Sequence, residues 1–358
     1  MIEFLFNNID YLFTIILYTG IAGLVIFFSY AIKTVECSST KFLCQMLLFL
    51  TYLIPAVLRY DIGADYSAYE IAYNQNNNYF SEIGYVTLCN ILHHYNLPSW
   101  HLFFWMSFIT YFPLAFLIKE KNYIINISYI LFMCYFKSYD QIRQACSMTY
   151  LILSFQNFNE KNYFRVMLDI VFATLFHQSS LVILLVYVLA ISIKKETIIR
   201  IISFLLITFV VLGYLKKILL SVIEKYLPIY AHYLDSIYSQ EANMGSGLGV
   251  LLSILFPIIF LLIPNMQKKD PITLWASSLY IVFRLGTVQF SILGRISDLM
   301  LAGAFYSFYY VKSYNTKYRK LIYILYYFVG FLLFFKWITS QTGIGTSEIT
   351  PYKSILGK

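Results

Sequence analysis

IDYLFTIILYTGIAGLVIFFSYAI, residues 9–32, carries no charged residue after Asp10 and is predominantly apolar on every face. About 20 such residues cross the hydrocarbon core of a bilayer as a helix. A helix that is apolar all round needs lipid or a large protein interior about it. Further apolar runs lie near 42–58, 99–118, 122–136, 142–157, 198–215, 248–264, 272–290, 296–311 and 321–338. No single soluble core accommodates so many. The expectation is an all-α polytopic transmembrane bundle of about 10–12 spans, one domain over residues 1–358, with a larger external loop around 59–98. Residues 164–193 are ambiguous, because HQSS at 177–180 interrupts them. They read as one long helix, two half-length helices, or a broken helix lining a cavity.

Composition points the same way. Of 358 residues, 59% are hydrophobic and only 12% charged, and the mean hydropathy is +0.67. Soluble domains carry about 25% charged residues, so this chain cannot cover a surface with charge. Five cysteines with no CxxC pair support neither a disulfide framework nor a zinc site. The first residues, MIEFLFNNID, lack the basic region and cleavage site of a signal peptide, so the first run is expected to stay as a span. GSGLG at 245–249 follows no strand and reads as a helix entry, not a phosphate cradle. No cofactor is expected.

The net charge of +8 is explained by its distribution. If 164–193 enters and returns, one set of loops holds Lys33, Lys41, Lys119, Lys121, Lys161, Arg165, Lys194, Lys195, Arg200, Lys268, Lys269, Lys312, Lys317, Arg319 and Lys320. Cytoplasmic loops carry the Lys/Arg excess, so this face is expected in the cytoplasm. A nucleic-acid partner is not needed to account for the charge.

The opposite face collects the unusual polar residues. RYDIGADYSAYE at 59–70 opens the long loop, which continues through NQNNN at 74–78 and SEIGY at 81–85. YDQIRQA at 139–145 heads the fifth run, and HQSS at 177–180, GRISD at 294–298 and TPYK at 350–353 follow. Arginine inside an apolar helix costs about 2.5–3.5 kcal/mol on insertion scales, and it usually marks a cavity or ligand path. Arg143, Arg284 and Arg295 lie in or beside apolar runs, and Arg59 ends one. Four cations on one face suit an anionic ligand, since guanidinium grips phosphate through a planar fork of donors. The bland alternatives are snorkelling to the interface and internal pairing with Asp140 and Asp298. Asp61 and Asp65 flank Gly63, a turn position. They could hold sugar hydroxyls, act as a base, pair with Arg59 or bind a divalent ion, though two acids four apart are a weak metal signal and no metal is expected. His177 sits in apolar surroundings, and an imidazole there qualifies as a general base; a structural histidine is the alternative. His93, His94, His101 and His232 read as interfacial. Tyrosine is abundant, 34 residues; such rings form interfacial belts and also stack on sugars.

RYDIGADYSAY at 59–69, SEIGY at 81–85, YDQIRQA at 139–145, FHQSSL at 176–181, GR at 294–295 and PY at 351–352 together resemble the EpsG family, which belongs with the Wzy-type polymerases of bacterial surface polysaccharide. The family's usual threonine is Ala64 here, and its proline after the motif glutamate is Ile83. Neither change removes a charged group. The resemblance implies a membrane glycosyltransferase in the bacterial inner membrane with its active face periplasmic. It would move a growing glycan from undecaprenyl pyrophosphate onto an incoming lipid-linked repeat unit. The implied partners are undecaprenyl-pyrophosphate-linked oligosaccharides, membrane lipid and a chain-length regulator. Under it Arg143 and Arg295 bind pyrophosphate, and His177, or failing that Asp65, is the base. Arg59 holds the second lipid pyrophosphate or orders the loop. Tyr66 and Tyr69 stack on sugar. Tyr60, Asp61, Glu82, Tyr139, Asp140, Gln144 and Arg284 complete the substrate-binding set. A lipid-linked oligosaccharide flippase, an O-antigen ligase and a membrane acyltransferase are the competing readings.

Overall fold

The computed structural model describes residues 9–76, 79–132, 134–214, 221, 247–262, 270–313, 319–339 and 349–357. His232, Lys268, Lys269, Lys317 and parts of the NQNNN and GSGLG runs lie outside the described residues. Among the described residues the chain is helical, without a strand. The only pairing of β type there is an isolated bridge between Arg59 and Ser354.

The chain forms two compact units, residues 1–180 with 327–358 and residues 181–326. In the first, α1 (Ile9–Thr34) packs on α2 (Ser38–Leu58), and α2 on α5 (Trp100–Phe116). The run at 59–98 is not an open loop. It folds into α3 (Tyr66–Asn74) and α4 (Ile83–His94), whose Tyr66, Tyr69, Tyr73 and Tyr85 share a core with Phe103, Ile142 and Phe176. After the short α6 (Ile124–Leu131) and α7 (Cys134–Asp140), the backbone breaks at Gln141, and α8 (Ile142–Asn159) begins. α8 packs against α5, α7 and α9 (Tyr163–Phe176). It buries Gln144, Ser147, Thr149, Ser154, Gln156 and Asn157 as well as its apolar side chains. These polar groups need partners once out of water. Gln156 finds three, accepting from the Lys119 N–H and the Asn122 side chain and donating through Nε2 to the Leu117 carbonyl, each at 2.9 Å.

In the second unit, α10 (Ile183–Ser192), α11 (Glu196–Val211), α12 (Leu248–Leu262), α14 (Leu293–Leu299) and α15 (Leu301–Ser313) all contact α13 (Pro271–Gly286). Small residues let α15 approach: a Cβ on Gly303 would stand 2.3 Å from the Ala276 Cβ. The chain passes from the first unit to the second after Ser180 and returns within α16 (Arg319–Ile338).

Three described helices are long and apolar enough to cross a membrane: 9–34, 38–58 and 320–338. A fourth span results if 100–116 and 120–131, bent by 105°, count as one. This is an all-α helical membrane bundle. The other apolar runs form helices of seven to 18 residues. Polar residues and chain breaks interrupt them; α8 carries Arg143, Gln144, Gln156 and Asn157 within one run. Residues 164–193 resolve into α9 and α10, with His177 extended and 178–182 in a 3-10 turn between them.

Candidate functional site

The first unit brings Glu82, Arg143 and His177 together, each at the end of a helix. Glu82 precedes α4, Arg143 lies in the first turn of α8, and His177 follows α9. Local chemistry fixes all three. Gly84 lets the start of α4 press on α9, since a Cβ there would sit 2.9 Å from the Leu175 carbonyl oxygen. The hydroxyls of Ser147 and Ser180 are hydrogen-bonded, which pins the HQSS turn to α8. The His177 N–H donates to the Ala173 carbonyl at 3.0 Å and closes α9.

Arg143 donates through Nη1 to Glu82 Oε2 and through Nε to the Tyr69 hydroxyl at 3.4 Å. Its guanidinium lies over the Phe80 ring at 4.0 Å, with Tyr69 and Tyr85 each at 5.7 Å. The other carboxylate oxygen, Glu82 Oε1, stands 3.6 Å from His177 Nδ1. Burial alone would raise the Glu82 pKa, but His177 and the Arg143 charge outweigh it and hold the carboxyl below its usual value. The start of α4 favours the anion as well. Arg143 has the opposite situation, because a cation in the first turn of α8 meets the positive end of the helix. It needs a negative partner, from the protein or from a ligand. The Glu82, Arg143 and His177 side chains retain 10%, 15% and 15% of their exposure, so the cluster is sheltered without being sealed.

A second centre lies one turn back along the same chain segments. Arg59 is 1% exposed. Its guanidinium stacks between Tyr139, at 4.7 Å, and Phe103, at 5.1 Å. Nη1 donates to the Ala56 carbonyl, while Nε and Nη2 find no acceptor among the described residues. Asp140 closes the RYDIGAD turn by accepting the Ala64 N–H at 3.0 Å. That turn needs Gly63, at φ +103°, where a Cβ would meet the Tyr139 carbonyl oxygen at 2.4 Å. Burial pushes the Asp140 carboxyl up to about 7. The segment 349–354 braces the turn. Tyr60 N–H donates to the Lys353 carbonyl at 3.0 Å, and Tyr352 donates through its hydroxyl to the Pro55 carbonyl at 2.9 Å. Lys353 reaches the exposed Asp61 at 3.5 Å.

The expected site residues therefore divide. Glu82, Arg143 and His177 meet. Arg59, Tyr139 and Asp140 form the neighbouring centre, with Gln144 buried one residue beyond Arg143. Arg143 pairs with Glu82 rather than with Asp140, the internal partner considered from sequence. Tyr66 and Tyr69 do not present free faces: Tyr66 stacks on Phe103 at 4.4 Å, and Tyr69 tilts on Phe80 at 4.9 Å. Tyr139 is wholly buried, donating to the Tyr135 hydroxyl at 2.8 Å. Tyr60 is half-buried. Asp65 sits before α3, where its carbonyl accepts the Tyr69 N–H at 3.1 Å. Arg284 and Arg295 belong to the second unit, on α13 and α14; Arg284 Nε donates to the Ser253 hydroxyl at 3.2 Å. The rings of Phe80, Tyr85 and Phe103 contribute to the two centres, and nothing in their sequence spacing marks them. Among the described residues no three His, Cys, Asp or Glu side chains converge as metal ligands.

An all-α membrane protein with a sheltered arginine–carboxylate–imidazole cluster is the class that fold and site define. The chain belongs to the EpsG family, whose profile matches residues 42–354, and this is consistent with the Wzy-type polysaccharide polymerases. No curated protein and no solved structure matches it.

Proposed function

We propose that this chain polymerises a bacterial surface polysaccharide. It transfers the growing glycan from undecaprenyl pyrophosphate onto an undecaprenyl-pyrophosphate-linked repeat unit, at the outer leaflet of the inner membrane. The observation that carries this reading is the sheltered Arg143 beside Glu82 and His177. A guanidinium at a helix start, held in an aromatic box and part-exposed, suits a pyrophosphate. An imidazole beside it suits the proton of an attacking hydroxyl. The acceptor oxygen forms a bond to the anomeric carbon as the bond from that carbon to the pyrophosphate oxygen breaks. The acceptor proton passes to His177, and Arg143 offsets the charge growing on the departing lipid pyrophosphate. Arg59 orders the RYDIGAD turn. A chain-length regulator is the expected protein partner.

The test is deletion of the gene in its source organism, followed by a gel that resolves single repeat units. Collapse of the ladder to one repeat on its acceptor is the expected result. Absence of all repeats would instead make the chain a flippase or ligase. A full ladder with altered modification would make it an acyltransferase.

A further inference from the structure

Glu82 presents a difficulty for any anion-binding reading of Arg143. It occupies the guanidinium directly and adds a negative charge where a pyrophosphate would sit. Taken alone, it weakens binding of an anion. Its second oxygen, however, faces His177 Nδ1 at 3.6 Å, on the far side of the same carboxylate. One carboxylate thus serves two cationic or potentially cationic partners, and what one partner releases the other can use.

We infer that Glu82 is a positioning residue that couples pyrophosphate binding to the basicity of His177. With no lipid bound, Arg143 neutralises the carboxylate. An arriving pyrophosphate displaces Glu82 from the guanidinium, and the freed carboxylate turns its charge on the imidazole. It fixes the tautomer protonated at Nδ1, leaves Nε2 to accept the acceptor hydroxyl's proton, and stabilises the imidazolium that results. The base therefore reaches full strength only when a leaving group is seated. The aromatic floor makes the exchange possible: Phe80 at 4.0 Å and Tyr69 at 3.4 Å hold the Arg143 guanidinium in place while its anionic partner changes. This inference rests on the polymerase reading above.

The experiment measures kcat for polymerisation with purified lipid-linked repeat unit, and separately the Kd for bare undecaprenyl pyrophosphate, in wild type and Glu82→Gln. Glu82→Gln should lower kcat on the order of 10²-fold, the size of a general-base contribution. Affinity for the bare lipid should hold or tighten by about two- to fivefold, because the variant removes the like charge that the lipid anion must displace. A residue that merely supports the fold would lose both together, and that result overturns the inference. So does an unchanged kcat. Glu82→Asp gives a second reading should the glutamine variant not fold. It keeps the charge but shortens the reach to an imidazole already 3.6 Å away, so kcat should fall with affinity preserved; parallel loss of both overturns it. A wild-type protein that fails to bind undecaprenyl pyrophosphate at all would remove the polymerase reading itself, a result distinct from any of these.

Discussion

Arg59 and Arg143 are held alike and used differently. Each guanidinium lies on aromatic rings: Arg59 on Tyr139 and Phe103, Arg143 on Phe80, Tyr69 and Tyr85. Each is mostly removed from water. Arg59, however, has no carboxylate against its guanidinium among the described residues and is 1% exposed, whereas Arg143 has Glu82 and keeps an opening. A buried cation without a partner is expensive, and stacking repays only about 0.5–2 kcal/mol per ring. Arg59 is tolerated because Asp140 lies close enough to act through space and because its Nη1 caps the end of α2. The difference shows that aromatic packing fixes where an arginine sits, while access and a labile anionic partner decide whether it can exchange ligands.

The largest test of this contrast is on activity. Arg143→Ala should shorten the polymer to one repeat at normal protein levels. The rate loss should be on the order of 10²–10³-fold, as for removing one donor to a developing anion. Unchanged chain length on the gel would remove Arg143 from the reaction. The same substitution at both arginines gives a stability test of opposite sign. Arg143→Met strands Glu82 as an unpaired, mostly buried anion and should cost about 3 kcal/mol. Arg59→Met replaces a cation with no directly bonded carboxylate among the described residues by an apolar side chain of similar reach, and stability should hold within about 1 kcal/mol or rise. Thermal unfolding in detergent reads both, and equal losses would erase the distinction. The smallest effect concerns Asp140. Its pKa is raised in the folded protein to about 7, so folding takes up a proton between the unfolded value, about 4, and neutrality. The stability it contributes is therefore present at low pH and is lost as pH rises toward 7. Asp140→Asn should flatten the fall in melting temperature between about pH 4 and 7. A slope identical to wild type would mean that Asp140 is not the titrating group.

The class of fold is legible in the sequence because lipid as solvent leaves a coarse signature, and residues 9–32 and 42–58 are enough to read it. The ends of the polar motifs are legible too: Arg143, Glu82 and His177 each stand out from apolar surroundings. Their partnership is not. Glu82 and Arg143 are 61 residues apart, and no periodic pattern joins them; what does is that α4, through the approach Gly84 allows, and α8 both pack on α9. The length of each span is also hidden, because hydropathy averages across a break such as Met300, which divides the 296–311 run between α14 and α15. The 59–98 run reads as a loop for a related reason. Its tyrosines are polar enough to suggest solvent, yet they close on Phe103 and Phe176 as a core.

The brace at 349–354 bears on how the protein is made. Tyr18 donates to the Ile349 carbonyl across 331 residues of chain, and the Thr14 hydroxyl accepts the Tyr352 N–H across 338. Ribosomes deliver these partners far apart in time, so α1 must wait in the bilayer without either contact until the late segment arrives. A reporter fused just before residue 349 would hold the nascent bundle in this waiting form, and topology maps drawn from such fusions would record an assembly intermediate.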